Sequence, residues 1–357
     1  RAVLDVPTAG LSIQVLKKES QERFESYFPR DAWGTQAFSV TFKTGKFEVS
    51  IVRKGGRRNS PAVLQINEAL QSFLEKSRAQ YTALVGKPDP SSATRSPYST
   101  RLKFLSQALD GVPELLRYRC EPVFIPASRS FFANIERNVF ALMSSKYDLD
   151  LLVAEFGSIL DATRRSLLFA VEPSAAASGR DQAVLRRLNW SHIIQGEYNF
   201  DGKEEVIVQD NRRVRLVNSS SGQQEVIPLL LVLDYFGSEL ATFATRRRGG
   251  MGASFCVEEP EAHLFPQAQK AIALALTEAV NKMPQNRLLF TTHSPYMLTA
   301  INNLHLAGKL YEAHPSKHAA IAKVASQVQS IGPGELAAYK VDAGKVTSII
   351  DNESGLV

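Results

Sequence analysis

The sequence predicts an α/β fold, a sheet flanked by helices with a helical lobe inserted into it. Ser254 to Val257 and Leu288 to Thr291 are short, bounded runs of apolar or β-branched residues, as suits buried strands of a parallel sheet. Between them, Phe265 to Lys282 carries Ala, Ile and Leu at helical spacing, with Pro266 tolerated in the first turn. Upstream, Asn218 to Leu231 reads NSSSGQQEVIPLLL, a Ser/Gly turn that opens directly into an apolar helix.

The remaining elements follow from local pattern. Gln36 to Lys43 and Phe47 to Arg53 alternate apolar and polar residues around a Thr-Gly-Lys turn and read as a hairpin. Ala62 to Val85 and Arg101 to Arg117 read as helices, separated by the Pro/Ser-rich loop Lys87 to Ser99. Phe131 to Lys146 and Leu149 to Phe169 read as helices again, and Val171 to Gly179, rich in Ala and Ser, as a mobile loop. Glu197 to Val217 alternates enough for two or three antiparallel strands around Asp201-Gly202-Lys203. The expected organisation is an N-terminal β part over 1–56 and a helical insertion over 57–120. The main lobe then covers 121–357, with a helical segment at 130–190.

Chemistry concentrates at the ends of the two apolar strands. Glu258 and Glu259 fall at the carboxyl end of the first, and His293 just past the end of the second. Open α/β sheets bind ligands beyond the carboxyl ends of their strands. Adjacent strand residues point to opposite faces, but the pleat relaxes at a terminus and both carboxylates can then reach one site. A hard cation with phosphate ligands needs such oxygens, and hydrolysis needs a base to orient water; Glu258 suits the first role and Glu259 the second. Glu-Glu-Pro-Glu also suits a solvated strand-to-helix turn, where a helix dipole favours acids, and a lone His is commonly structural. Ser221 and Gly222 stand at a helix start, where backbone N–H groups and hydroxyls form an anion site, although Ser-rich caps are frequent without any ligand.

The order of these pieces carries the decision. With the Ser-Gly-Gln helix, the Glu-Glu strand and the Thr-Thr-His-Ser strand in succession, the chain resembles ATP-binding-cassette ATPases. It is most similar to the RecF, SMC and overcoming-lysogenization-defect group of AAA-type proteins, and not to membrane transporters. Ser220-Ser221-Gly222-Gln223-Gln224 resembles the signature motif, Phe255 to Glu259 the Walker B strand, Glu261 to Leu264 the D-loop, and His293 the switch histidine. Phe124-Ile125-Pro126-Ala127-Ser128-Arg129 is similar to the strand that follows the helical insert, and Tyr339 to Leu356 to the closing hairpin. The likeness covers the chain well from about Glu121 onward, and loosely before it.

The chain departs from that pattern in places. Glu258 stands where Asp is usual, and Gln223 where a second Gly is usual, so the backbone approaches phosphate less closely. The phosphate-cradling pattern G-x-x-x-x-G-K-[ST] occurs nowhere in the sequence; Thr44-Gly45-Lys46 and Lys54-Gly55-Gly56-Arg57 lack its spacing. A chain opening on Arg1 without Met makes truncation the expected reason.

The resemblance implies ATP and Mg²⁺ as cofactors and two such lobes facing each other. Ser221, Gly222 and Gln223 of one would cap the γ-phosphate held by the other, with His293 also binding ATP at the γ-phosphate. Glu258 would hold the metal, and Glu259 and His293 would be the catalytic pair. It further implies a sensor or scaffold subunit of a prokaryotic anti-phage system, self-associated as a dimer or higher and working with an effector protein encoded nearby. A RecF-like DNA-maintenance ATPase and a non-hydrolysing dimerisation module are the alternatives.

Composition bounds these readings. With 357 residues and 44% apolar content the chain can bury a large core. No run reaches the roughly 18 apolar residues of a membrane span, so no membrane partner is expected and the cytoplasm is the expected compartment. The two cysteines, Cys120 and Cys256, lie beside strands and are expected to be buried thiols, not a disulfide or zinc site. A formal charge of +6 permits nucleic-acid contact without demanding it. Basic clusters at Arg53 to Arg58, Arg117 to Arg119, Arg164-Arg165, Arg186-Arg187, Arg212 to Arg215 and Arg246 to Arg248 suit solvated faces, and leave DNA, RNA or an acidic protein open as partners.

Overall fold

A computed structural model describes residues 13–56, 60–85, 120–134, 151–171, 190–200, 202–237 and 252–357. The expected helix Arg101 to Arg117, the loop Lys87 to Ser99, most of Phe131 to Lys146, most of Val171 to Gly179, and the basic clusters beyond Arg53 and Lys54, at Arg117 to Arg119, at Arg186-Arg187 and at Arg246 to Arg248 lie outside these residues. The chain divides into two compact units, Arg1–Arg119 and Cys120–Val357.

In the first unit, helix α1 (Ile13–Tyr27) precedes the antiparallel strands β1 (Phe38–Thr44), β2 (Phe47–Arg53) and β3 (Val63–Ile66). The expected hairpin is present, in the register Phe38↔Arg53 to Thr44↔Phe47, with Gly45 at φ 55° in its turn. The helix expected from Ala62 does not begin there: Val63 to Ile66 pair with Val52 to Val49 as β3, and helix α2 (Glu68–Val85) follows. Asn67 marks the boundary, its Oδ1 accepting from the N–H of Leu70 at 3.1 Å, because an Asx cap satisfies an orphan donor of the first turn. Arg53, expected on a solvated face, is only 1% exposed and donates to the carbonyls of Trp33, Gly34, Gln36 and Ser60.

The second unit is built on a parallel sheet of β4 (Cys120–Ile125), β8 (Gly252–Glu258) and β9 (Arg287–Thr291), ordered β4-β8-β9. Between β4 and β8 come α3 (Leu151–Val171), the short α4 (Ser191–Ile194), the antiparallel strands β5 (Glu197–Phe200), β6 (Glu205–Gln209) and β7 (Arg212–Arg215), and α5 (Ser221–Gly237). Helix α6 (Pro266–Asn281) joins β8 to β9, as expected, and α7 (Pro295–Ala313), α8 (His318–Ile321) and the hairpin β10 (Tyr339–Asp342) and β11 (Lys345–Ser348) close the chain. The alternation of Glu197 to Val217 resolves into three strands, with Asp210 and Asn211 at positive φ in the tight second turn. The architecture is the expected α/β one, a parallel sheet with flanking helices.

One face of the sheet makes the core. Val123, Ile125, Phe255 and Val257 are buried against α3, α5, α6 and α7, and α5 is buried all round from Glu225 to Leu233. On the opposite face Phe124, Cys256 and Leu289 form one cross-strand row. The thiols are therefore half-buried instead of buried, because the outer face of the sheet is less covered; burial still raises both their pKa values, and Cys120 Sγ lies 2.8 Å from the Gln285 carbonyl. Asn286 fixes the entry to β9, accepting from the Ala253 N–H and donating to the Ala279 carbonyl, both at 2.8 Å. Tyr198 and Arg164 both bond Glu205, tying α3 to the β5–β6 pair; burial and the Glu205 carboxylate hold the phenol's pKa well above its usual value. The other cluster residues are also partly paired, Arg165 with Asp161, Arg212 with Asp210 and Arg215 with Glu204.

Gly308 in α7 shows how closely the C-terminal segment lies on this core. A Cβ at that position would fall 2.0 Å from the Ile331 carbonyl oxygen and 2.6 Å from its carbon. Gly308→Ala is expected to cost about 1–3 kcal/mol by overpacking against backbone, read as a lowered midpoint in thermal or urea unfolding. An unchanged midpoint would mean the segment is not held there. Among the described residues no helix is long and apolar enough to cross a membrane.

Candidate active site

Strand β8 ends on Glu258, and the next residue turns the chain. Glu259 adopts φ 39°, a left-handed conformation that is costly for a residue with a Cβ and is sustained only where its surroundings over-determine it. Its N–H donates to the Thr291 carbonyl at 3.1 Å, and its carbonyl accepts from Arg129 Nη2 at 3.1 Å. The strand alternation therefore breaks between the two carboxylates. Glu258 Oε2 accepts from the Ala127 N–H at 3.2 Å, so the loop after β4 also faces this strand end. Both glutamates are half-buried.

The turn after Glu259 reaches across to the end of β9. Glu261, 8% exposed, accepts through one oxygen from the Thr292 hydroxyl at 2.5 Å and from the His293 N–H at 3.0 Å, while Oε2 is buried with no partner among the described residues. Ser294 caps α7, accepting from the N–H groups of Tyr296 and Met297, and its hydroxyl donates to Gln269 Oε1 at 2.5 Å. Gln269 in turn donates to the Leu264 carbonyl at 2.8 Å. The His293 backbone is thus fixed by Glu261 while its side chain stays exposed.

The Ser/Gly turn opens α5 where expected. Ser220 and Gln223 cap one another: Ser220 accepts from the Gln223 N–H at 3.3 Å, and Gln223 Oε1 accepts from the Ser220 N–H and hydroxyl. Gln223 Nε2 donates to the Ile194 carbonyl at 2.7 Å. This glutamine is engaged within the chain at its backbone N–H and at both ends of its side chain, which leaves exposed Ser221 and half-buried Gly222 as the accessible part of the turn. A Cβ on Gly222 would stand 2.8 Å from the His263 carbonyl, so the glycine is needed for close approach to the turn after β8 within this chain, whatever it does toward phosphate.

Arg129, at the end of the Phe124 to Arg129 run and with no role legible in the sequence, joins these pieces. It is fully buried and donates to the carbonyls of Pro126, Glu225, Glu258 and Glu259 at 2.8, 2.9, 2.8 and 3.1 Å. Burial lowers its pKa, opposed by Glu225 and then by Glu261, Glu259 and Glu258. Glu225 is 3% exposed, and its carboxylate accepts from the N–H groups of Arg129 and Ser130 at 2.9 and 3.0 Å, with the guanidinium 3.5 Å away. A lone carboxylate heading the apolar run Val226 to Leu233 was the visible signal for a buried partner.

The turn, both carboxylates and His293 all fall within one segment of the chain. Residues 181–298 match the family model of the AAA ATPase domain. No curated protein matches the chain. The AAA ATPase match and the α/β fold support an ATP-binding ATPase of AAA type. Among the described residues no group of three or more His, Cys, Asp or Glu side chains forms a closed metal cage. Mg²⁺ is commonly held by one or two carboxylates with phosphate oxygens and water, and Glu258 offers one such carboxylate.

Proposed function

We propose that the chain binds and hydrolyses ATP with Mg²⁺ at the ends of β8 and β9, as a self-associating subunit of a prokaryotic anti-phage system that acts through a separate effector. The observation that carries the catalytic part is Glu259. A left-handed carboxylate residue, held at its N–H by Thr291 and at its carbonyl by Arg129, stands beside Glu258 within the AAA ATPase match. Glu258 would hold the metal, which would neutralise charge developing on the phosphates. Glu259 accepts hydrogen bonding from the attacking water and orients it. His293, on a backbone pinned by Glu261, has an exposed ring that would be free to contact the γ-phosphate.

Ser221 and Gly222 remain accessible at the start of α5, and they are assigned to the nucleotide of a second copy, so that ATP bound between copies favours association. The full-length protein is expected to shift toward a dimer or larger species on adding Mg-ATP, read by light scattering, and to release phosphate. Unchanged mass and no phosphate would overturn this reading. The exposed basic residues of β7, Arg212, Arg213 and Arg215, favour a second reading, a RecF-like DNA-maintenance ATPase. DNA affinity that falls steeply with salt in the same preparation distinguishes it.

A further inference from the structure

We propose that Arg129, paired with Glu225, is a positioning residue that couples the Ser220–Gly222 turn to Glu259, so that docking at the turn sets the orientation of the water-handling carboxylate. The inference rests on the reading of Glu259 given above. Arg129 donates to two separate elements at once. Nε binds the Glu225 carbonyl on α5, less than two helical turns from the exposed turn, while Nη1 and Nη2 bind the carbonyls of Glu258 and Glu259. The contact to Glu259 is made at the residue whose backbone is strained, and strain persists only while its restraints hold.

The fork geometry of the guanidinium explains the residue type. Arg offers donors in a rigid plane, whereas a lysine ammonium in the same space satisfies fewer of these carbonyls and does not fix their relative direction. The Glu225 carboxylate accepts from the N–H groups of Arg129 and Ser130, so the residue carrying the fork is anchored to α5 as well. Displacement of α5 by a partner therefore reaches Glu259 through one side chain. A purely structural arginine would support the fold and leave turnover of the folded protein unchanged.

The test is Arg129→Lys in the full-length protein, with Glu259→Gln measured in parallel. The folded Arg129→Lys variant is expected to bind a fluorescent ATP analogue and associate on Mg-ATP as the wild type does. Its kcat should fall by about 10²-fold, the loss that a small misplacement of a reacting group produces, with KM near the wild-type value. Added guanidinium is expected to restore part of the turnover of Arg129→Ala. If the Arg129 variants do not fold, Glu225→Gln, which keeps the side-chain shape and one acceptor, is expected to lower kcat without raising KM. Wild-type kcat in folded Arg129→Lys, or in Glu225→Gln, overturns the coupling. If that happens while Glu259→Gln is inactive, the ATPase reading stands alone. A wild-type protein that hydrolyses no ATP overturns both.

Discussion

Full-length protein carrying Glu259→Gln retains ATP binding and ATP-driven association but turns over about 10²-fold or more slowly, because a positioned general base contributes that much to proton transfer. The substitution isolates chemistry from structure. Gln is nearly isosteric with Glu, and the contacts that hold residue 259 in its left-handed conformation are made to its backbone, by Thr291 on one side and Arg129 on the other. No hydrogen bond that fixes the turn is lost with the carboxylate. What is lost is an acceptor basic enough to orient water, while Glu258 still offers its carboxylate to the metal. Slow release of phosphate should therefore leave the ATP-bound assembly accumulated, visible as a larger species that persists after dilution. Turnover equal to the wild type would remove Glu259 from the mechanism and move the search for the base elsewhere.

The contrast with Glu261 sharpens that assignment. Its carboxylate is buried and committed through one oxygen to Thr292 and His293, which suits holding the two strand ends together and not handling water. Three glutamates within four positions thus differ by what their carboxyl groups touch.

How much of this was legible in the sequence depended on distance along the chain. β8, α6 and β9 were readable because each carries its own periodicity, and Glu258, Glu259 and His293 were placed correctly at the strand ends for the same reason. The Ser220 cap was readable because capping is settled within a few residues. β3 was misread because Val63 to Ile66 runs straight into the apolar positions of α2; only Asn67 marked the break, and β2, which made the strand, lies upstream. Arg129 was beyond local reading. Its partners on α5 and β8 are separated from it by the whole helical and antiparallel segment, and nothing near Pro126-Ala127-Ser128 states that a guanidinium will be buried. The left-handed turn at Glu259 was also invisible, since it is imposed by Arg129 and Thr291 and not by a glycine.

The largest stability effect is expected at Glu225. Replacing it by Leu leaves the fully buried Arg129 without its counter-charge, and removal of one partner from a buried ion pair costs about 3–5 kcal/mol. The N–H groups of Arg129 and Ser130 lose their acceptors at the start of the helical turn at 130–134, where a carboxylate is also favoured by the local dipole. Leu supplies apolar area in their place, but apolar area does not satisfy a donor, and each orphaned buried group costs about 1–3 kcal/mol. These terms share one network and do not add. Urea unfolding of Glu225→Leu should show a clearly lowered midpoint, and the double variant Glu225→Leu/Arg129→Met should recover part of it, since an apolar pair replaces a stranded charge. Recovery stays incomplete because the carbonyls of Pro126, Glu258 and Glu259 then lack the donor that Arg129 supplied. A single variant within about 0.5 kcal/mol of wild type, the range of an ordinary surface substitution, would mean that the pair is not buried as described.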